Sequence, residues 1–562
     1  MNPTAYDDKL ATAVEFHRLG QLDQAEAIYR EIVRRDPRDA NGLHLLGVLL
    51  CHRGETDSAI DHILRAIQID DSPAVFHFNL ALAYRARGEL QKGLECLQKV
   101  LAREPENSEV WLQQGAIQQS AGDFDAAILS LQRARDLRPS DANVHNSLGS
   151  ALQSAGRAEV AVDAYREAIR LRSDFGPFHF NLANALRECD QLDAALMSYN
   201  EAIRLDPADR EALTNLGVAY RELGRFKESL HCCDRLITQQ PDFAPARFNR
   251  ALVLLQSGNL GAGWDAYEWR WKHGKPMRQF EAPQWEGGTL AGRSIFVHAE
   301  QGVGDEIMFA SCLPDLVDLA RNCVVECDPR LVPLMSRSFS RTEFIPKTSG
   351  DVVPVASLAT DFHLPIGSLP RFFRRSFRSF PKQNRYLIAD PRKVDLWRAR
   401  LAELGSGLKV GISWRGGKEQ DVRRKRSTAL SDWLPIFRIP GLRFVNLQYG
   451  ATRSELDEAE RSIGVRLHHF PEIDPLMDLD AFASEIKALD LVISVDNSTV
   501  HLAGALGTPV WTLLPFSADW RWVAGLDNSL WYPAMRLFRQ ETPGKWSTVF
   551  HHAARNLEQF RA

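Results

Sequence analysis

Two hydrophobic rhythms divide the chain. Up to residue 271, apolar positions recur at helical spacing in blocks that repeat every 34 residues. Beyond residue 293, short apolar runs alternate with glycine-containing turns and amphipathic stretches. The first rhythm predicts stacked helix pairs. The second predicts parallel strands, buried on both faces and separated by helices.

Small residues fix the phase of the repeat. Positions 13, 47, 81, 115, 149, 183, 217 and 251 read Ala, Gly, Ala, Gly, Gly, Ala, Gly, Ala. Positions 25, 59, 93, 127, 161, 195, 229 and 263 read Ala, Ala, Gly, Ala, Ala, Ala, Ser, Gly. Two such series mark a close crossing of two antiparallel helices in each unit, where a larger side chain would not fit. Pro37, Pro105, Pro139, Pro207 and Pro241 follow the second helix of their units, and Tyr29, Tyr165, Tyr199 and Tyr267 share one large-residue position. The pattern resembles the tetratricopeptide repeat, with about eight units over residues 1–271. The resemblance implies an α-solenoid whose concave face binds extended peptide or protein.

Asn79, Asn181, Asn215 and Asn249 share a position on the first helix of their units, with Gln113 and Ser147 in the same register. An amide both donates to and accepts from a peptide backbone, so these residues form a candidate ladder for an acceptor chain. Bridging between neighbouring helices is the alternative use of the same amides. Ala11 and Leu45 occupy the position in the first two units, so a ladder begins at the third.

Residues 272–293 are predicted to be a joint. Trp264, Trp269, Trp271 and Trp285 crowd around it, as expected where the open end of a repeat array must be buried. Exposed stacking platforms are the other reading. Pro276, Pro283 and Gly287-Gly288 end the helical pattern.

From residue 294 the expectation is two Rossmann-like α/β halves, 294–405 and 406–562, with a cleft between them. Ser294–Ala299 reads as a strand feeding Gly302-Val303-Gly304-Asp305 and a helix from about Glu306 to Ala320. Ile307 stands where a dinucleotide fingerprint needs its third glycine, which argues against NAD. Cys323–Cys327, Glu343–Pro346, Lys409–Trp414, Phe444–Leu447 and Leu491–Val495 are further strands. After the last of these, Asp496-Asn497-Ser498-Thr499 supplies helix-start residues, Gly507 a stop, and Val510 begins another strand. A helix starting at the carboxyl end of a parallel strand presents free N–H groups to an anion, phosphate above all. Ser498, Thr499 and His501 would add side-chain contacts; capping and packing are the plainer roles.

Composition narrows the partners. Hydrophobic content of 44%, charged content of 25% and a formal charge of −4 describe a soluble globular protein with no nucleic-acid signature. The eight cysteines lack zinc-type spacing, and no run of about 18 apolar residues appears, so a cytoplasmic protein without membrane insertion is expected.

The order of E-Q-G-V-G-D at 300–305, the Trp414–Ser427 loop, F-V-N-L-Q at 444–448 and D-N-S-T-V-H-L-A-G-A-L-G-T-P-V-W at 496–511 is informative. It resembles that of GT-B glycosyltransferases similar to the lipopolysaccharide heptosyltransferases. It is also similar to their bacterial relatives fused to tetratricopeptide repeats, the flagellin-modifying enzymes among them. The resemblance implies a metal-independent transferase with a nucleotide-sugar as substrate, no cofactor, and Ser or Thr hydroxyls of a protein, flagellin for example, as acceptor. Asp305 is the implied base, with Glu306 as its neighbour in reserve, although a helix N-terminal carboxylate is also favoured by the dipole alone. Gly302, Gly304, Trp414, Arg426, Ser427, Gln448, Asp496, Asn497, Ser498, Thr499 and His501 are the implied donor-side residues. The basic run Arg423–Arg426 is expected on a loop, and Arg371–Arg378 on a surface helix or flap. Asp478-Leu479-Asp480 spells a metal motif but precedes a helix in the wrong half. ADP-heptose, a CMP-linked nine-carbon acid and UDP- or GDP-hexoses all fit as donors. A glycan- or lipid-directed transferase and a repeat scaffold with a degenerate transferase domain are the rival readings.

Overall fold

The computed structural model describes residues 3–274, 277–347, 360–417 and 420–561; Pro276, expected to mark the end of the helical pattern, lies outside them. The chain divides into two compact units, Met1–Ala212 and Leu213–Ala562.

The first unit consists of antiparallel helix pairs, from Pro3–Arg18 with Leu22–Arg35 to Gly176–Glu188 with Leu192–Leu205. The small-residue series lies where the two helices of a pair meet. Ala13, Ala25, Ala59, Ala81, Ala127, Ala161, Ala183 and Ala195 are wholly buried. A Cβ on Gly149 would lie 2.7 Å from the ring of Tyr165, and one on Gly115 2.6 Å from Leu131. The glycine and the large residue opposite it are therefore complementary halves of one contact. The turns carry their own 34-residue series of left-handed residues, Gly20, Gly54, Gly88, Gly122 and Gly156, and Asp190 takes the same conformation at φ 56°.

The second unit begins with repeat helices, including Phe226–Gln239, Ala244–Gln256 and Leu260–Tyr267, and continues into two parallel sheets. The first contains β1 (Ser294–His298), β2 (Asn322–Cys327), β3 (Glu343–Pro346) and β4 (Phe362–Pro365) in the order β3-β2-β1-β4. The second contains β5 (Leu408–Ser413), β6 (Leu442–Asn446), β7 (Leu467–His468), β8 (Leu491–Val495), β9 (Val510–Leu514) and β10 (Met535–Arg539). Its order is β10-β9-β8-β5-β6-β7. Every paired strand in both sheets runs parallel to its neighbour. Strands β1, β8 and β9 are buried at every residue, which explains their mostly apolar sequence. The order reverses between β1 and β4 in one sheet and between β5 and β8 in the other. Such reversals open crevices at the carboxyl ends of the strands.

Three expectations are corrected. The helix expected over Glu306–Ala320 is two, Val303–Ala310 and Leu313–Val317. Pro314 has no N–H to give the Ala310 carbonyl, so the helix cannot run through. The basic run lies on a helix, Gln420–Arg426, whose last turn favours cations. The Arg371–Arg378 segment is not a surface helix throughout. Arg374 is 2% exposed, donates to the Ser311 carbonyl at 2.6 Å and pairs with Asp315 at 2.8 Å.

Two kinds of contact fasten the repeat helices of this unit to the sheets. One is aromatic: Trp264, 1% exposed, packs edge-on against Phe309, Trp520 and Trp531 and donates to the Arg374 carbonyl at 3.0 Å. The other is ionic. Buried Arg270, on the short helix Arg270–His273, reaches Glu300 through Nε at 2.9 Å and Nη2 at 2.8 Å. It also donates to Ser368 Oγ at 2.9 Å and Glu268 at 2.8 Å. Glu300 follows β1 and accepts from the Gly367 N–H at 2.7 Å, just beyond β4.

The crossing argument predicts that Gly149→Val is destabilising by about 1–3 kcal/mol, since the added methyls meet a fixed ring. The urea midpoint should fall with little change in slope. An unchanged midpoint would show that the crossing has slack.

Candidate functional site at the carboxyl ends of the two sheets

The helix Val303–Ala310, which follows β1, packs on Ser498–Leu506, which follows β8. Their close approach explains Gly304: a Cβ there would lie 3.0 Å from His501 Cδ2. Gly302 is the N-cap of the first helix, and its N–H is 3.4 Å from Asp305 Oδ2. The other Asp305 oxygen is held by Arg521, whose Nε donates at 2.7 Å and whose Nη2 donates as well.

Arg521 belongs to a larger charge cluster. Its Nη1 donates to Asp519 at 2.6 Å, and Asp519 also meets Arg426 at 3.3 Å. Arg426 in turn lies 3.1 Å from Asp496, whose Oδ2 has no aligned donor. Three carboxylates thus enclose two guanidinium groups. Asp496 is 3% exposed, whereas Asp305, Arg521, Asp519 and Arg426 are 16%, 16%, 20% and 25% exposed, so solvent reaches the cluster. Burial would raise the Asp519 carboxyl, but Arg521 and Arg426 outweigh it and hold the group down at about 2. Asp496 is the main cause that raises the Arg426 guanidinium.

His501 is 4% exposed, stacks on Trp522 at 5.2 Å and shares a 2.9 Å hydrogen bond from Nδ1 with the Tyr532 hydroxyl. Burial pushes its ring down to about 4, so it is neutral at pH 7. Glu306 points away from the cluster. It is 2% exposed, accepts from the Asp328 N–H at 2.7 Å, and is pushed up to about 7 by burial.

A second set of the predicted residues braces the loops. Gln448 Oε1 accepts from Trp414 N–H at 2.9 Å, Arg415 N–H at 2.7 Å and Ser413 Oγ at 3.0 Å. Its amide donates to the Tyr449 carbonyl at 3.0 Å, so Gln448 organises the loop after β5. Asn497 caps the helix through Thr499 N–H and donates to Ser413 Oγ at 2.8 Å and the Arg415 carbonyl at 3.0 Å. Ser427 Oγ lies 3.3 Å from Gly416 N–H. Thr499 is buried and Ser498 is half-exposed at the helix start. Trp414 is buried, donates to Glu455 at 3.0 Å and lines a cavity of about 320 Å³ with Arg415, Leu430 and Ile463. Asp478 caps the helix Leu479–Ala488, and Asp480 pairs with Arg337 and Lys393.

In the repeats, Asn79, Asn181, Asn215 and Asn249 are all half-buried. Asn79 shares a 2.8 Å hydrogen bond with His44, and Asn181 donates to Asn146 at 2.8 Å. These partners lie 35 residues back, on the preceding first helix. At least two of the four amides therefore bridge helices, whatever else they hold.

Arg521, Asp519, Trp522 and Tyr532 were not among the expected residues. For the first three the signal is D-W-R-W at 519–522, charged and aromatic residues alternating soon after the apolar run of β9; Tyr532 carries no such mark.

Comparison with known proteins bears on the repeats. The tetratricopeptide-repeat family matches residues 10–73, 78–142, 112–179 and 214–268, and a TPR repeat model matches 183–224. Protein FlbA of Caulobacter vibrioides is 34% identical over 370 residues, 63% of this chain. The match spans 62% of that relative's length. An N-terminal acetyltransferase A complex subunit-like protein of Schizosaccharomyces pombe is 26% identical over 103 residues, 18% of this chain and 15% of the relative. Among solved structures, the MamA protein is similar at 21% identity and a TM-score of 0.27, over 30% of this chain and 92% of that one. The pilF protein of Pseudomonas aeruginosa is similar at 20% identity and a TM-score of 0.34, over 38% and 99%. Within residues 10–268 this chain thus carries tetratricopeptide repeats.

Proposed function

We propose that this chain captures a protein through its repeats and glycosylates it, moving a sugar from a nucleotide-sugar to Ser or Thr hydroxyls. In this reading the two sheets are the halves of a GT-B fold. The observation that carries it is the meeting of Asp305, from the first sheet's crevice, with Arg521 from the second, which Asp519 links to Arg426, beside the start of Ser498–Leu506. Transfer needs a base for the acceptor hydroxyl and cations or helix N–H groups for the leaving phosphate, and this arrangement supplies both. Asp305 suits the base better than Glu306, because it is the carboxylate that solvent reaches. The buried, neutral His501 then supports the helix pair and does not carry charge. Flagellin is the first acceptor to test, and the nucleotide-sugar is a substrate in this reading, with no resident cofactor.

A second reading has its own support. The family matches fall within the repeats, and Asp305 is engaged by Arg521, as a scaffold that uses its sheets for structure alone would allow. Intact mass of candidate acceptors, flagellin foremost, from cells carrying the wild-type chain or Asp305→Ala separates the two. A sugar-sized loss in the variant, with transfer slowed by about 10²–10⁴-fold in vitro, supports the transferase. Equal masses with a folded variant favour the scaffold.

Glu306 gives an independent check by pH. Its folded-state carboxyl, at about 7, binds its proton more tightly than the ordinary carboxyl at 4.5. The stability tied to this proton is whole below pH 4.5 and is lost as pH rises through about 7. Glu306→Gln, which keeps an acceptor for Asp328, should therefore gain on the wild type between pH 5 and 8. The gain is up to roughly 3 kcal/mol, from about 1.4 kcal/mol per pH unit. Transfer activity should persist. Parallel stability curves for the two proteins would refute the assignment.

A further inference from the structure

We propose that Arg521 is an exchangeable latch: it holds Asp305 while the site is empty and releases it when a phosphate-bearing anion takes the guanidinium. The proposal deepens the transferase reading and rests on it for the role of Asp305. It begins from a conflict in the geometry. While the ion pair holds, Asp305 Oδ1 takes two donors from Arg521 and its charge is spent on the guanidinium, which leaves Oδ2, 3.4 Å from the Gly302 N–H, as the one oxygen open to a hydroxyl proton. The same two donors form the fork that matches a phosphate.

Arg521 can change partners without changing place. Asp519 holds it through Nη1 at 2.6 Å and accepts from its backbone N–H at 3.2 Å. Trp520 lies beneath the guanidinium at 4.5 Å, a platform that does not depend on Asp305. Gln301 offers Oε1 to Nη2 at 3.4 Å, and its own amide is held by the Tyr267 hydroxyl at 2.8 Å. Among the described residues, only the Asp305 contact joins Arg521 to the helix Val303–Ala310. Asp519 also draws Arg426 against the same side of the cluster, so an anion that displaces Asp305 meets two guanidinium groups. The 16% exposure of both Arg521 and Asp305 gives solvent-borne anions a path. The exchange would leave the base masked until the donor phosphate is in place.

Titration calorimetry of the full chain with inorganic pyrophosphate tests the latch. Arg521→Met should weaken binding by tenfold or more. Asp305→Asn, which removes the competing charge, should tighten it several-fold, an effect that a purely structural ion pair does not produce. Arg521→Lys, retaining charge without the fork, should fall between, and matched circular dichroism spectra with matched unfolding midpoints exclude misfolding. Absence of pyrophosphate binding to the wild type, or equal affinities across the folded variants, overturns the latch. Arg521-dependent binding that tightens in Asp305→Asn upholds it even if no acceptor is glycosylated, in which case the transferase reading falls alone. Sugar transfer together with an Arg521→Met affinity equal to wild type overturns the latch and leaves that reading standing.

Discussion

The buried Arg270–Glu300 pair is the constraint on which the rest of the second unit depends. Arg270 comes from the last helix before the sheets, Glu300 from the turn after β1, and Ser368 from the turn after β4. One guanidinium therefore sets three segments against each other at the crevice of the first sheet. Burying such a pair contributes little net stability, because desolvation offsets the attraction, but breaking it leaves an unpaired charge that costs about 3–5 kcal/mol. What it secures is geometry. Glu300 is followed by Gln301, in the left-handed region at φ 61°, then by Gly302 and the helix that carries Asp305. Backbone of this kind persists only where its surroundings over-determine it, and the Glu300 and Tyr267 contacts do so here.

This anchor gives the repeat helices of the second unit a chemical role beyond presenting a surface. Tyr267 and Arg270 stand at the end of the repeat pattern, yet their polar atoms are spent on the loop that leads to Asp305. Trp264 does the same with apolar surface, placing an indole among Phe309, Trp520 and Trp531. Trp520 is in turn the platform under Arg521. A single stretch of chain thus supports both the carboxylate and the cation of the candidate site.

The repeats were legible because their constraint is steric and periodic. A residue that must be small at every crossing leaves a mark every 34 positions, and Gly149 against Tyr165 shows why. Strands buried on both faces were equally plain: Leu491–Val495 occupies the bounds read from its apolar run. The misses share a different cause. Pro314 breaks a helix whose hydrophobic spacing continues past it, and the basic run before Ser427 forms a helix with no apolar face to announce it. In the site, sequence located polar residues at strand ends but could not tell which way they turn. Gln448 and Asn497 turn inward to brace the β5 loop, while Arg521, from the D-W-R-W run, turns to Asp305.

That division between braces and reachable charges is itself the argument for a binding site. Gln448 and Asn497 converge on Ser413, Trp414 and Arg415, spending buried hydrogen bonds on the loop after β5. Loops that serve only as connections do not need two buried amides to hold them, whereas a site that must present groups without reorganising does. The groups left accessible beside this rigid frame are charged and of both signs, and Asp496 Oδ2 lacks an aligned donor within it. A braced loop beside charged groups that solvent reaches is what pre-organisation toward a charged ligand requires. On the proposed reading, the crevice between β5 and β8 and the Asp305 carboxylate that reaches Arg521 there are where a ligand would be met.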